Sequence, residues 1–344
     1  MPSPTRCLTA GDAISFVRNR AVRRPSGPPL VGFELEWLTS PSDDPARRVT
    51  PAELHAALDG VLLPCGGTTS IEPGGQIELS TVALPSLSAA LDAATTDAAV
   101  LRGALASAGI DTSCEAVDTR RAPLRVVTAP RYVAMEAYFD AFGTHGRTMM
   151  CNTASIQVNV DPGGDPCTAW RAASAAAPLL PDLFGPSILE PNRRSIWANI
   201  DPTRTAPVGG DDPGEAWARY ALAARVMFVR SGTERCTPVL DGMTFADWIA
   251  DGHQSGWPTM DDLAEHLTTL FPPVRPRGFL ELRTIDTMPD DCWPLTVAVA
   301  AAIVLDEHAA YEVAAAGASL DCDGLFAAAR PALARLGLEP ALCP

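Results

Sequence analysis

The chain has 344 residues, 47% hydrophobic and 19% charged, a composition that excludes a disordered protein. Its 26 basic and 41 acidic residues leave a net charge of −15, which disfavours nucleic acid and anionic membrane as partners. Every basic residue is arginine, so a lysine-bearing phosphate loop is excluded and any phosphate must be held by arginine, backbone amides or metal ions.

In chain order, a helix is expected over about Ala10 to Arg20, followed by a Pro/Arg-rich link to VGFELEWL (31–38). A strand of period two puts Glu34 and Glu36 on one face and Val31, Phe33, Leu35 and Trp37 on the other. Two carboxylates roughly 7 Å apart on a half-buried strand either face water or flank something positive. A short helix suits 51–63. SIEPGGQIELS (70–80) turns at Pro-Gly-Gly and then alternates, with Gln76, Glu78 and Ser80 opposite Ile77 and Leu79. Ser86 to Ala108 has helical spacing, and Gly109 suits its stop. In TASIQVNVD (153–161), Ser155, Gln157, Asn159 and Asp161 alternate with Ile156, Val158 and Val160.

RSIWANIDPTRT (194–205) reads as a strand with Asn199 and Asp201 on one face and a following loop that carries Arg204. In GFLELRTID (278–286), Glu281 and Arg283 share a face backed by Leu280 and Leu282. Further helices are expected near 167–180, 213–230, 259–270, 294–316 and 323–336. The most apolar run, Leu295 to Leu305, is too short to span a bilayer. Helices that can pack on the aliphatic strand faces alternate with the strands. The expectation is a single α+β domain, 1–344, with a curved, mainly antiparallel sheet whose concave face is polar and forms a site.

Grouped on one surface, Glu34, Glu36, Glu72, Glu78 and Glu281 repel unless cations neutralise them, and Mg²⁺ suits oxygen ligands. The alternative is that these are unrelated, solvated glutamates. Arg283 is either a structural ion pair or a guanidinium placed on a transferring phosphoryl group. Arg204 is either a loop arginine bonding carbonyls or a clamp on a substrate carboxylate. The histidines carry little signal, although His145 lies in a Gly-flanked loop. The nine cysteines form no CxxC pair and the start shows no secretory pattern, so a reducing cytoplasm is expected.

The stretches VGFELEWL, SIEPGGQIELS, RYVAMEAYF, TMMCNTASIQVNVD, RSIWANIDPTRT, YALAARVMFVR, DGMTFADWI and HLTTLFPPVRPRGFLELRTID carry a resemblance. Over roughly 31–310 the chain resembles carboxylate–amine ligases of glutamine-synthetase-like fold, and within them plant-type glutamate–cysteine ligases, with 294–344 as a C-terminal helical segment. It looks most like the actinobacterial branch assigned to ergothioneine biosynthesis. The resemblance implies ATP-dependent phosphorylation of the side-chain carboxylate of L-glutamate and attack on the acyl phosphate by the amine of L-cysteine. It implies Mg²⁺ on Glu34, Glu36, Glu72, Glu78 and Glu281, with Asn159 as a further ligand. It assigns Arg283 to the transferring phosphoryl group and Arg204 to glutamate, with Thr153 and Ser155 as further substrate contacts. Relatives carry arginine where this chain has Asn152, and Arg147 is the expected replacement. A different amine acceptor, or a non-catalytic nucleotide- or glutamate-binding relative, are the competing readings.

Overall fold

The computed structural model describes residues 8–183, 191–232 and 235–338. The alternating segments become strands: β1 (Val31–Pro41), β2 (Thr68–Ile71), β3 (Ile77–Ser80), β4 (Ile110–Ser113), β5 (Ser155–Val160), β6 (Phe228–Ser231), β7 (Arg235–Pro238), β8 (Val274–Pro276) and β9 (Leu280–Asp286). The first helices are α1 (Ala10–Ala21), α2 (Pro51–Leu58), α3 (Leu87–Ser107), α4 (Pro130–Asp140), α5 (His145–Asn152), α6 (Pro166–Ala176) and α7 (Arg193–Ala198). They are followed by α8 (Pro202–Thr205), α9 (Pro213–Ala223), α10 (Phe245–Asp251), α11 (Met260–Leu267), α12 (Trp293–Leu305), α13 (Glu307–Ala316) and α14 (Cys322–Arg335).

The main sheet runs β2-β3-β1-β5-β9-β8, with β4 paired to the far end of β1, and β6-β7 is a separate hairpin. Every described strand pair is antiparallel, which gives the expected mixed helix-and-antiparallel-sheet architecture. Period two sorts the sheet's faces. Phe33, Leu35, Ile77, Leu79, Ile156, Val158, Leu280 and Leu282 are all buried in the main apolar core. Helix α12 is apolar on all sides and buried along nearly its whole length, as expected of a central core helix. Its Trp293 meets Phe33 edge-on, with ring centroids 6.5 Å apart. A second apolar cluster, built on Met135, Tyr138, Phe139, Met150 and Met227, flanks the polar side of the sheet. No helix among the described residues is long and apolar enough to cross a membrane.

Three expectations change. RSIWANIDPTRT is two short helices, not a strand. Asn192 caps α7 through Ser195 N, and Asp201 caps α8 through Thr203 N with Pro202 just inside. Cap residues and a first-turn proline outweigh a short alternation. The helix expected over 213–230 ends at Ala223, and the chain re-emerges as β6. The helix expected over 294–316 divides at Asp306, whose side chain accepts from Ala309 N and starts α13.

Candidate active site

The register lines up polar residues in rows across the sheet. Glu36 stands opposite Glu78, and Glu34 stands opposite both Ser80 and Gln157. Asn159 stands opposite Glu281, which in turn faces Arg275 on β8. The β5–β9 register slips between Ile156 and Val158. Gln157 thereby comes beside Arg283, whose Nη1 donates to its Oε1.

Glu72 joins this face through the Pro-Gly-Gly turn. Its backbone N–H donates to Gln76 O, and Gly75 N donates back to Glu72 O, both at 2.9 Å. Gly75 has φ +90°, which glycine adopts freely. Gly74 packs so close to α5 that a Cβ would lie 2.1 Å from Cys151 O. Gln76 clamps the turn by accepting from Gly74 N and donating to Met150 O and Thr153 O.

The carboxylates divide into two electrostatic classes. Burial pushes the Glu34, Glu36, Glu72 and Glu78 carboxyls upward. Neighbouring glutamates add to this at Glu34, Glu72 and Glu78, and Glu72 reaches about 8. Burial also opposes ionisation of Glu281, but Arg275, Arg283 and Arg277 overcome it and hold that carboxyl well below the usual range. The bonds to Glu281 come from Arg275 Nε and Nη2, Arg277 Nη1 and Arg283 Nη1. An ionised carboxylate has about four lone-pair sites, and arginine fills them here. Glu281 therefore sits among arginines, yet close enough to Glu34 that its charge adds to that carboxyl's upward shift.

Four carboxyls that resist ionisation beside one another match a site for a hard cation. The donor set is all oxygen. Asn159 donates Nδ2 to Glu34 at 3.0 Å, while its buried Oδ1 has no partner among the described residues. These features fit Mg²⁺. As the side chains stand, no group of three or more acidic, histidine or cysteine residues among the described residues is gathered closely enough to hold a metal ion, so the glutamates would have to close around one on binding.

A cavity of about 160 Å³ lies over this face, lined among others by Glu36, Glu72, Arg131, Arg193, Trp197 and Arg283. Buried Nε atoms of Arg131, Arg193 and Arg283, and Trp197 Nε1, have no acceptor among the described residues. Arg193 is 5% exposed and reaches Asp286 at 3.6 Å and the Arg283 carbonyl at 2.9 Å. Four unused donors around one cavity suit an anion. A second cavity of about 460 Å³, walled by Trp170, Pro178, Pro207 and Val208, shares Arg193, Trp197, Phe271 and Arg283 with the first. Arg131, Arg193 and Trp197 were not among the residues singled out from sequence. Their signal in the sequence is their place: Arg131 in RYVAMEAYF, Trp197 in RSIWANIDPTRT and Arg193 beside it.

Two expected substrate arginines lie elsewhere. Arg204 is 0% exposed, and its donors go to Asp201, Thr269 O, Arg225 O and Tyr138 OH. With its donors taken inside the protein, it joins α8 to its surroundings and lines neither cavity. Arg147 turns outward to Asp140 and Glu136 and lines neither cavity. Asn152 is buried in structural bonds: it accepts from Arg48 and donates to the Asp118 and Arg121 carbonyls. Thr153 and Ser155 do line the smaller cavity, with Ser155 donating to Glu36 and Thr153 to Met149 O.

The family model for glutamate–cysteine ligase family 2 (GCS2) matches residues 30–334. Glutamate–cysteine ligase EgtA of Mycobacterium tuberculosis is 39% identical over 332 residues, 90% of this chain and 74% of that protein. The chloroplastic glutamate–cysteine ligase of Medicago truncatula is 31% identical over 241 residues, 64% of this chain and 47% of that protein. A solved glutamate–cysteine ligase of Francisella tularensis in complex with AMP superposes with a TM-score of 0.47 and 14% identity, over 93% of this chain and 73% of that one. With residues 30–334 matched and rows of glutamate and arginine across its sheet, the chain belongs to glutamate–cysteine ligase family 2.

Proposed function

We propose that the chain uses ATP to join the side-chain carboxylate of L-glutamate to the amine of L-cysteine, giving γ-glutamylcysteine, ADP and phosphate for ergothioneine biosynthesis. One observation carries this reading: four up-shifted carboxyls share a sheet face with arginines whose donors remain unused. Such a face joins a cation-neutralised polyphosphate to an anionic co-substrate.

Glu34, Glu36, Glu72 and Glu78 would hold Mg²⁺, with the free Asn159 Oδ1 as a further donor. When bound, the metal neutralises the phosphate oxygens and polarises the phosphorus–oxygen bonds. Arg283 lies within reach of Gln157 and both electrostatic groups, and it stabilises charge on the moving phosphoryl group. Glu281 fixes the guanidinium that does so. Arg193 and Arg131 orient the amino-acid carboxylates. Trp197 and Phe271 exclude water from the acyl phosphate.

The neighbouring apolar cavity of about 460 Å³ is larger than a thiol side chain needs. This favours a second reading in which the amine acceptor has a bulkier side chain. ADP release with Mg-ATP and L-glutamate, measured with and without L-cysteine, tests both readings when the product is weighed by mass spectrometry. Cysteine-dependent release with γ-glutamylcysteine supports the first. Glutamate-dependent release unaffected by cysteine moves the reading to another acceptor. Absence of ADP with every amine removes the ligase reading.

A further inference from the structure

On the β8 edge of the sheet, a cavity of about 430 Å³ is lined by Arg20, Arg23, Arg275 and Arg277 together with Trp217, Leu267, Thr268, Pro276 and Gly278. Among the described residues, four arginines and no carboxylate line it, in a chain whose net charge is −15. Arg20 lies in the last turn of α1 and Arg23 just past its extended C-cap Val22, and both line the same cavity. Both are exposed, and neither has an acidic partner among the described residues. Arg20 stacks over Phe16 at 3.8 Å, which positions its plane without consuming its donors. Among the described residues, the Arg23 side chain gives only Nε to an acceptor, the Asn19 carbonyl.

The opposite wall is held in register with them. Gly278 N donates to Ala21 O, and Arg23 N donates to Gly278 O. These bonds tie the β8–β9 turn to the end of α1. Behind the wall, Arg275 and Arg277 both grip Glu281, which also holds Arg283. A single carboxylate thus balances a cluster of arginines that stand on two sides of it.

We propose that this cavity binds a multiply charged phosphate anion, and that occupancy is coupled to the active site through Arg277, Glu281 and Arg283. Guanidinium forks match phosphate oxygens in pairs. Several of them around one pocket call for more than one negative charge. The bound anion competes with Glu281 for the half-exposed Arg277, while Arg275, buried with its nitrogens bonded to Glu281 and Leu270 O, stays as framework, and the lost Arg277 bond alters the network that fixes Arg283. The coupling is reciprocal, so ligands on the acid face change the anion's affinity by the same factor. The binding half rests on the cavity alone. The coupling half rests on the ligase reading above.

Pyrophosphate is the probe. Its binding is followed calorimetrically without nucleotide or Mg²⁺, on the wild-type chain and on the Arg20→Ala/Arg23→Ala double variant. Both residues are exposed and outside the proposed active site, so the variant is expected to fold and to keep its turnover. The expected result is at least about a tenfold loss of affinity in the variant, together with a pyrophosphate-dependent change in ADP release, at fixed free Mg²⁺, seen only in the wild type. Orthophosphate should bind at least about tenfold more weakly than pyrophosphate. Equal pyrophosphate affinity in both proteins overturns the site. A raised KM for ATP in the variant without pyrophosphate also overturns it, because the arginines would then seat the substrate nucleotide. Binding that leaves turnover unchanged overturns the coupling. If the protein shows no ligase turnover at all, the calorimetric comparison still decides the site.

Discussion

Glu36 and Glu78 stand directly opposite each other on β1 and β3, each in a buried setting that pushes its carboxyl upward. Like charges in register across a sheet destabilise it. Hydroxyls of Ser70 and Ser80 donate to Glu78 at 3.0 and 3.1 Å, which offsets part of the repulsion. Glu78→Gln keeps the acceptor oxygen and removes the charge. The variant is expected to be more stable than wild type in EDTA, by on the order of 1 kcal/mol. It should lose the extra stability that Mg²⁺ gives, and turnover should fall at least about a hundredfold. Thermal unfolding and ADP release check this; a less stable variant with full turnover would remove Glu78 from the site.

The same carboxyls set a pH dependence. Glu34, Glu36, Glu72 and Glu78 all bind protons more tightly folded than unfolded. A raised carboxyl contributes stability fully below its ordinary value of 4.5, and loses it as pH climbs through the folded value, about 8 for Glu72. Glu281 is lowered, so its contribution is lost only in strong acid. Buried His266, whose imidazole is pushed down to about 3, makes stability rise with pH up to its ordinary value of 6.5, so metal-free protein should lose stability through the glutamates as pH rises from about 7 to about 9. Mg²⁺ competes with the protons, so the rise in Tm on adding it should be larger at high pH. Tm measured against pH, with EDTA and with Mg²⁺, tests the sign. A metal-free Tm that climbs over that range contradicts it.

Much of this face was legible in the sequence because period two is a local rule. Glu34, Glu36, Gln76, Glu78, Asn159, Glu281 and Arg283 each follow from alternation against buried aliphatic neighbours. The arginines were less legible. Whether a guanidinium lines a cavity or is consumed within the protein depends on its acceptors, and those come from distant segments. Arg204 meets Thr269 O and Arg225 O, while Arg193 meets β9. Alternation also misled at RSIWANIDPTRT, where Asn192 and Asp201 act as helix caps. The pairing of β8 with β9, which encloses Glu281 in arginine, joins residues close in sequence but lies in a run too short to show a period.

Arg283 is fixed from two sides, by Glu281 at 3.1 Å and by Gln157. Its proposed contact strengthens as charge develops, so Arg283→Ala should act on kcat more than on KM. The expected fall in kcat is on the order of 10²–10³, the usual cost of losing one preorganised donor. Glu281→Gln should show a smaller fall in kcat and a lower Tm, because it leaves Arg275 buried with a weaker partner. Steady-state kinetics with ATP varied separates the two effects. An unchanged kcat in Arg283→Ala refutes its role.

Arg193 and Arg204 offer a direct contrast between a cavity arginine and a framework arginine. Arg204 shares Asp201 with Tyr138, whose hydroxyl donates to the carboxylate at 2.6 Å. Removing the guanidinium strands a buried carboxylate, which costs roughly 3–5 kcal/mol. Arg204→Ala should therefore unfold at much lower temperature, while the folded fraction keeps its KM for glutamate. Arg193 has a buried Nε without an acceptor at the wall shared by both cavities. Arg193→Gln should raise KM for an amino-acid substrate by about 10- to 100-fold, the scale of a lost charge-assisted hydrogen bond. Its Tm should move less than that of Arg204→Ala. Unfolding curves and KM values measured on both variants decide the assignment. A large KM effect at Arg204 with normal stability would reverse it, returning the substrate contact to α8 and leaving Arg193 as the support of Asp286.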